Sequence, residues 1–86
     1  MQYHVLLAPK AEKALSNLSA KDSKRILTAL FGIARDPLIG KQLKGELQTY
    51  FSLRVWPYRI IYSMIDKELV ILVIAIGHRK DIYKKL

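Results

Sequence analysis

The sequence predicts a small α+β domain in which an N-terminal helical hairpin packs on one face of a largely antiparallel sheet. Three features support this prediction. Apolar residues recur at helical spacing between residues 9 and 36, alternate with polar ones along residues 51–55, and form one continuous run at residues 69–76. The predicted element order is β-α-α-β-β-β-α. No shift in composition divides the chain, so we expect a single domain over residues 1–86.

The N-terminal segment is predicted to form a strand that leads into the first helix. At residues 2–8, Tyr3, Val5 and Leu7 occupy alternate positions and share one face of the strand. Pro9 then opens the helix, because the first helical turn does not use the N–H that proline lacks.

The second helix is expected to begin after Ser19 and to end at Asp36. Ser19 and Asp22 resemble a capping box, with aspartate in place of the usual glutamate. Pro37 stops the helix because the residue before a proline avoids the α region. Almost no linker separates the two helices, so we expect an antiparallel hairpin that lies across one face of the sheet.

Residues 38–49 are predicted to form a loop that carries Gly40, Lys41, Lys44 and Gly45. A basic loop with glycines can lie against a phosphate backbone. The same composition also suits a loop that only keeps the protein soluble. The sequence leaves both interpretations open.

Residues 53–62 are predicted to form two strands that fold back on each other at Trp56-Pro57, because proline favours a turn and lacks a ladder donor. A hairpin closed at this point brings Arg54 and Arg59 close together on a rigid sheet. Two such cations repel each other, so they require a carboxylate between them or an anionic ligand above them. A solvated sheet edge with loose ion pairs is the alternative.

The last predicted strand is the β-branched run at residues 69–76, which is typical of a strand covered on both faces. We expect it to be central, with the helices over one face. After Gly77 the chain becomes basic, and residues 78–86 are predicted to form a short helix or a tail. His78 and Arg79 therefore follow directly after a buried strand, which would hold their side chains rigidly.

The net charge is the strongest global signal, since 15 Lys and Arg residues against 7 Asp and Glu residues give +8 and a pI near 9.9. Such an excess attracts nucleic acid or an acidic protein. The absence of cysteine favours a reducing cytoplasm. The apolar run is too short to cross a bilayer and no signal-peptide pattern is present, so we expect no membrane association.

The candidate site consists mainly of cationic side chains. If the last strand lies beside the hairpin, Arg54, Arg59 and Arg79 converge on one concavity, with Tyr83 on the following turn. The sequence has no paired carboxylates, glycine-rich phosphate loop, nucleophile elbow or metal-ligand spacing. Histidine suits proton transfer near neutral pH, which makes His78 a candidate acid–base group. A metal-free site of this kind suits an anionic transition state at a phosphate.

Three segments of the chain resemble the RelE/ParE superfamily of bacterial toxin–antitoxin toxins. They are Leu43-Lys44-Gly45, then Leu53-Arg54-Val55 running into Tyr58-Arg59-Ile60-Ile61-Tyr62, then Gly77-His78-Arg79-Lys80-Asp81-Ile82-Tyr83. The resemblance is nearest to the RelE branch, whose members are ribosome-dependent mRNA endonucleases. It implies a RelE-like fold and a cofactor-free toxin of a type II system, which cleaves mRNA by attack of a 2′-OH on the adjacent phosphate.

The resemblance also implies roles for individual residues. Arg59 and Arg79 match two arginines that bind phosphate and stabilise the transition state. Tyr83 matches a C-terminal tyrosine that stacks on or orients the nucleotide. Arg54 occupies a strand position that is basic in relatives, and Ser52 falls where some relatives carry a further lysine or arginine.

Two departures from the family pattern leave the general base open. Trp56-Pro57 replaces the usual glycine–acid turn, and fewer basic groups are present. The candidate RNA contacts are Lys41, Lys44, Ser52 and Lys80.

The resemblance implies three partners: the ribosome, mRNA and a cognate acidic antitoxin that forms a hetero-oligomer with the toxin. Two other functions remain open at this point. One is a ParE-like toxin that inhibits DNA gyrase without cutting RNA. The other is a catalytically weak nucleic-acid-binding relative, for which the charge alone suffices.

Overall fold

Two helices and five strands are present in residues 2–86, which a computed structural model describes apart from the side chain of Lys85. The helices are α1 (Pro9–Ser16) and α2 (Ala20–Arg35). The strands are β1 (His4–Leu7), β2 (Lys41–Gln42), β3 (Tyr50–Val55), β4 (Tyr58–Ile65) and β5 (Val70–His78). Short 3₁₀ turns lie at Pro37–Ile39, Gly45–Leu47, Asp66–Glu68 and Ile82–Lys85. Within this part of the chain, neither helix is long and apolar enough to cross a membrane.

The strands form one mixed sheet in the order β1-β5-β4-β3-β2. β1 runs parallel to β5, and every other neighbouring pair is antiparallel. The predicted fold class, a largely antiparallel sheet with a helical hairpin on one face, is confirmed.

The prediction differs from the structure in two elements and in the identity of the central strand. The sequence pattern misses β2, because two residues are too few to show an alternation, and β2 pairs with β3 inside the predicted loop. The chain ends in a 3₁₀ turn at Ile82–Lys85 rather than in an α-helix. β5 is internal, but β4 holds the centre of the sheet, since β1 is the only strand outside β5 in the described chain.

The helix ends follow the predicted local signals. Pro9 occupies the first turn of α1, and the Ser19 hydroxyl accepts a hydrogen bond from the Asp22 N–H at 3.2 Å at the start of α2. Asp36 follows the last residue of α2, and Pro37 opens the next turn. These signals act over three or four residues, which is why the sequence alone identifies them.

The main core lies between the helices and one face of the sheet. Its buried members are Ala11, Ile26, Leu30, Ile33, Ile60, Tyr62, Ile71, Val73 and Ile76. On the opposite face a smaller buried cluster of Ile61, Ala75 and Ile82 packs under the C-terminal turn. Beside this cluster, the part of the same face that β2, β3 and β4 form stays open to solvent.

The side chain of Tyr62 connects the sheet to the segment after α2. It is fully buried, its hydroxyl donates to the Pro37 carbonyl at 2.6 Å, and the Gly40 N–H donates to the same oxygen at 3.0 Å. A Cβ on Gly40 would come within 2.5 Å of that hydroxyl, so the close approach requires glycine. Burial also raises the pKa of Tyr62. These hydrogen bonds fix the position of the segment that connects α2 to β2.

We expect Tyr62→Phe to lower the free energy of unfolding by about 1–3 kcal/mol, because two backbone groups near the core lose their hydrogen-bond partner. Urea unfolding followed by circular dichroism measures the change. Tyr50→Phe is the matched control, since the Tyr50 hydroxyl makes no side-chain hydrogen bond to any described residue. Equal stability of Tyr62→Phe and the wild type would contradict this role.

Candidate functional site

An open pocket of about 370 Å³ lies on the face of the sheet away from the helices. We call it the cation pocket. Its lining residues are Lys41, Gln42, Leu43, Lys44, Ser52, Arg54, Arg59 and Tyr83. Six of the nine residues named as site candidates from the sequence line this pocket, from four separate parts of the chain.

Strand register explains why these residues meet. Lys41 of β2 is paired with Ser52 of β3, and Arg54 of β3 is directly opposite Arg59 of β4. Successive side chains of a strand point to opposite faces. Because Leu53 and its alternate neighbours on β3 face the core, the residues between them face the cation pocket.

The hydroxyl of Ser52 joins two of the candidate residues. Ser52 is only 4% exposed, and its Oγ accepts hydrogen bonds from Arg59 Nη1 at 3.4 Å and from the Tyr83 hydroxyl at 3.3 Å. Both distances are at the long end for hydrogen bonds. Ser52 therefore orients an arginine and a tyrosine at the floor of the cation pocket and presents little surface of its own to a ligand.

The electrostatics of the cation pocket favour an anion. Its lining contains two lysines and two arginines but no carboxylate. Like charges directly opposite each other destabilise a sheet, and Arg54 and Arg59 are such a pair. Asp66, an acidic residue near the hairpin in sequence, accepts a hydrogen bond from the Tyr3 hydroxyl at 2.8 Å instead. This arrangement of charges therefore favours binding of an anionic ligand.

Ion pairs elsewhere do not change this conclusion. Arg25 and Asp22, at 3.5 Å, are the one ion pair between the side chains described for residues 2–86. In the same residues, no group of three or more His, Cys, Asp or Glu side chains is placed to hold a metal ion.

The structure does not bring His78 to the cation pocket. One extra residue, Ile74, bulges β5 between the pairs Ile61–Ala75 and Tyr62–Val73. This bulge shifts the alternation by one position, so His78 pairs with Tyr58. The two rings meet edge to face at 6.3 Å, and Tyr58 packs against the helix-side core.

Arg79 and Lys80 also lie outside the lining of the cation pocket. The guanidinium of Arg79 is stacked over the indole of Trp56, 4.5 Å from the ring centre. Lys80 is exposed on the turn after β5, and its N–H donates to His78 Nδ1 at 3.2 Å. Two of the three arginines expected to converge therefore line the pocket, and the third lies at the hairpin turn.

Two lining residues, Gln42 and Leu43, were not predicted from the sequence. Gln42 belongs to β2, and its side-chain amide donates to the Gln48 carbonyl at 2.7 Å, which closes the loop between them. The only available signal was their position next to Lys41 and Lys44.

The comparisons with known proteins agree with this fold. The family model of the ParE toxin of type II toxin–antitoxin systems, parDE, matches residues 5–83. The chain therefore belongs to this toxin family, and the predicted membership in the RelE/ParE superfamily is confirmed.

Three relatives within the RelE/ParE superfamily illustrate the similarity. Toxin RelG of Mycobacterium tuberculosis is 32% identical, over 99% of this chain and 100% of its own. The toxin–antitoxin complex RelBE2 from Mycobacterium tuberculosis superposes with a TM-score of 0.84 at 28% identity, over 92% of this chain and 100% of that one. The isolated E. coli RelE toxin shares the fold, with a TM-score of 0.79 at 24% identity, over 88% of this chain and 83% of that one.

We expect inorganic sulfate to raise the melting temperature of the wild-type chain, because an anion bound in the cation pocket stabilises the folded state. Arg59→Gln should lose most of this gain. Thermal unfolding with sulfate and with sodium chloride at equal ionic strength measures it.

The matched control is Lys67→Gln, which removes the same charge from the exposed turn at the far end of β4. It should respond to sulfate as the wild type does. The same sulfate response in Arg59→Gln would show that the anions act on the net charge rather than in the pocket.

Proposed function

We propose that this protein is a ribosome-dependent mRNA endonuclease, which cuts translated messages in the cytoplasm and so inhibits translation. One observation carries the proposal: Arg54 and Arg59 face each other in an open pocket that also holds two lysines and no carboxylate. Similarity to RelE toxins supports the same class of reaction.

In the proposed reaction the ribose 2′-oxygen attacks the neighbouring phosphorus and the bond from phosphorus to the 5′-oxygen breaks. The products are a 2′,3′-cyclic phosphate and a 5′-OH end. Negative charge grows on the phosphoryl oxygens during this step. Arg54 and Arg59 supply planar, permanently charged donors that stabilise it.

Two protons move in this reaction. The proton of the 2′-OH passes to water, because the cation pocket holds no imidazole or carboxylate to accept it. The Tyr83 hydroxyl protonates the leaving 5′-oxygen and regains its proton from water. Ser52 acts as a positioning residue, since it already contacts both Tyr83 and Arg59.

Binding is assigned to groups around the reacting phosphate. Lys41 and Lys44 neutralise flanking phosphates. The exposed Lys80, on the turn after β5, supplies a further positive charge. His78 is left out of the proton transfers because its ring packs against Tyr58. Arg79 is assigned to RNA binding rather than to the reacting phosphate.

The openness of the cation pocket explains the proposed dependence on the ribosome. A shallow, cation-lined depression binds a phosphate but does not align the 2′-oxygen with the bond that breaks. Holding the strand in an aligned geometry contributes a large share of the barrier reduction in such reactions. The decoding site of the ribosome would supply that alignment.

We expect Arg59→Ala to lower kcat/KM for mRNA cleavage on the ribosome by about 10²-fold or more, because it removes charge stabilisation in the transition state. Primer extension on a message in a reconstituted translation system measures the cuts. Circular dichroism of the variant verifies the fold.

Two variants serve as controls. Lys67→Ala removes a cation outside the cation pocket, and His78→Gln removes the imidazole; both should cleave at close to the wild-type rate. Full activity of folded Arg59→Ala would contradict the proposal. Intact messages with stalled replication would indicate gyrase inhibition instead, and neither effect would leave a nucleic-acid-binding module.

An acidic antitoxin is the second proposed partner. A hollow of about 530 Å³ lies between α1, β5 and the C-terminal turn, with Ala14, Ile74, Ala75 and Ile76 among its lining residues. Its cationic lining residues are Lys10, Lys13 and Lys84. An amphipathic acidic segment fits such a surface, with apolar side chains inward and carboxylates near the lysines. Relatives in this family have been crystallised as toxin–antitoxin complexes.

We expect the double variant Lys10→Glu, Lys13→Glu to bind its acidic antitoxin at least about 10-fold more weakly, because attraction becomes repulsion. Isothermal titration calorimetry at fixed salt measures the affinity. Lys67→Glu is the control of equal charge type and should bind like the wild type. Unchanged affinity in the double variant would place the antitoxin elsewhere.

A further inference from the structure

Trp56 has a large apolar side chain that is exposed to solvent at the turn between β3 and β4. It is the only tryptophan of the chain and is 56% exposed. Burial of such a side chain is strongly favourable, and tryptophan often serves as an anchor for a ligand or partner. Nothing in the proposed cleavage reaction uses it.

The turn that carries Trp56 is held firmly. The Trp56 carbonyl oxygen accepts a hydrogen bond from Arg25 Nη2 at 2.7 Å, and the Pro57 carbonyl accepts one from the Arg79 N–H at 2.8 Å. The Tyr58 hydroxyl also donates to Asp22 of α2 at 3.0 Å. Three contacts therefore fix the backbone on both sides of the exposed indole, so that its position is defined before any ligand binds.

One face of the Trp56 indole is already occupied by a cation. The Arg79 guanidinium lies 4.5 Å from the ring centre, which is the geometry of a cation–π contact. A guanidinium and an indole stacked in this way form a flat π surface with a positive charge. Such surfaces stack on nucleobases, and they bind single-stranded nucleic acid without needing base pairing.

Short segments of chain connect this stack to the cation pocket. Trp56 lies two residues after Arg54, and Arg79 lies two residues after Gly77, the strand partner of Arg59. Two residues of chain span at most about 7 Å, which is the scale of a single nucleotide. A strand whose phosphate occupies the cation pocket would therefore have a neighbouring base at the stack.

We infer that Trp56 and Arg79 form a stacking platform for one nucleobase of single-stranded RNA whose phosphate occupies the cation pocket. This inference rests on the proposed function for the identity of the RNA. The four cations of the cation pocket favour a polyanion. The stack favours one with flat bases, and an acidic peptide has the charge but few π faces. The platform therefore sets the position of the RNA and not the chemical step.

The test uses the intrinsic fluorescence of Trp56 in the purified full-length chain. The probe is a short single-stranded RNA with 2′-O-methyl groups, which cannot undergo the 2′-OH attack. We expect this RNA to quench Trp56 fluorescence, and an abasic oligomer with the same phosphates to quench it far less. Equal quenching by both oligomers would overturn the inference, because contact with the backbone would then explain the signal.

Variants separate stacking from charge. Trp56→Leu should bind the RNA about 10-fold more weakly with an unchanged salt dependence, and Trp56→Phe should recover part of the affinity. Phe31→Leu changes an aromatic residue that is 71% exposed on α2 and should bind like the wild type. Unchanged RNA affinity in folded Trp56→Leu would overturn the platform. A Trp56→Leu variant that loses antitoxin binding but keeps RNA binding would overturn it too.

The outcomes distinguish this inference from the proposed function. If the wild type is quenched by RNA but leaves ribosome-bound messages intact, the platform stands and the nuclease proposal fails. If the wild type cuts messages and Trp56→Leu binds and cuts equally well, the nuclease proposal stands and the platform fails.

Discussion

The repulsion between Arg54 and Arg59 is the constraint on which the candidate site depends. The two arginines are paired directly across antiparallel strands, where like charges are unfavourable. The pairing persists because the other face of the same strands is buried: Leu53 pairs with Ile60 in the core, and a slip of one residue would expose every apolar side chain of that face. Burial of the core thus holds the two cations close together, and a bound anion relieves the repulsion between them.

Polar side chains complete the arrangement around this pair. Ser52 aligns the cation pocket from beneath, and Tyr62 binds the segment that leads to β2, which carries Lys41 to the pocket. From the helix side, Asp22 and Arg25 hold the hairpin turn. Ser52 and Tyr62 are buried, and a buried polar group is costly unless it is paired, so their contacts restrict the arrangement of the backbone.

Sequence reasoning succeeded where a side chain's direction depends on its immediate neighbours. The alternation along the hairpin and its short turn predicted that Arg54 and Arg59 lie close together, because such a turn leaves the register little freedom. The position of His78 outside the cation pocket was not predicted, because the bulge at Ile74 lies inside a uniformly apolar run. Such a run gives no sign of an extra residue, yet one extra residue reverses the face of everything after it.

By itself, the sequence determined the helix ends, the hairpin, the fold class, the excess of positive charge and the family, since each depends on local patterns, on composition or on motifs along the chain. The tertiary structure alone decided which further residues join Arg54 and Arg59 in the cation pocket. Ser52 and Tyr83 are 31 positions apart, and the contact between them follows from the packing of the C-terminal turn on the sheet. Contacts of this range depend on which faces bury the most apolar surface together, and no segment encodes that choice alone.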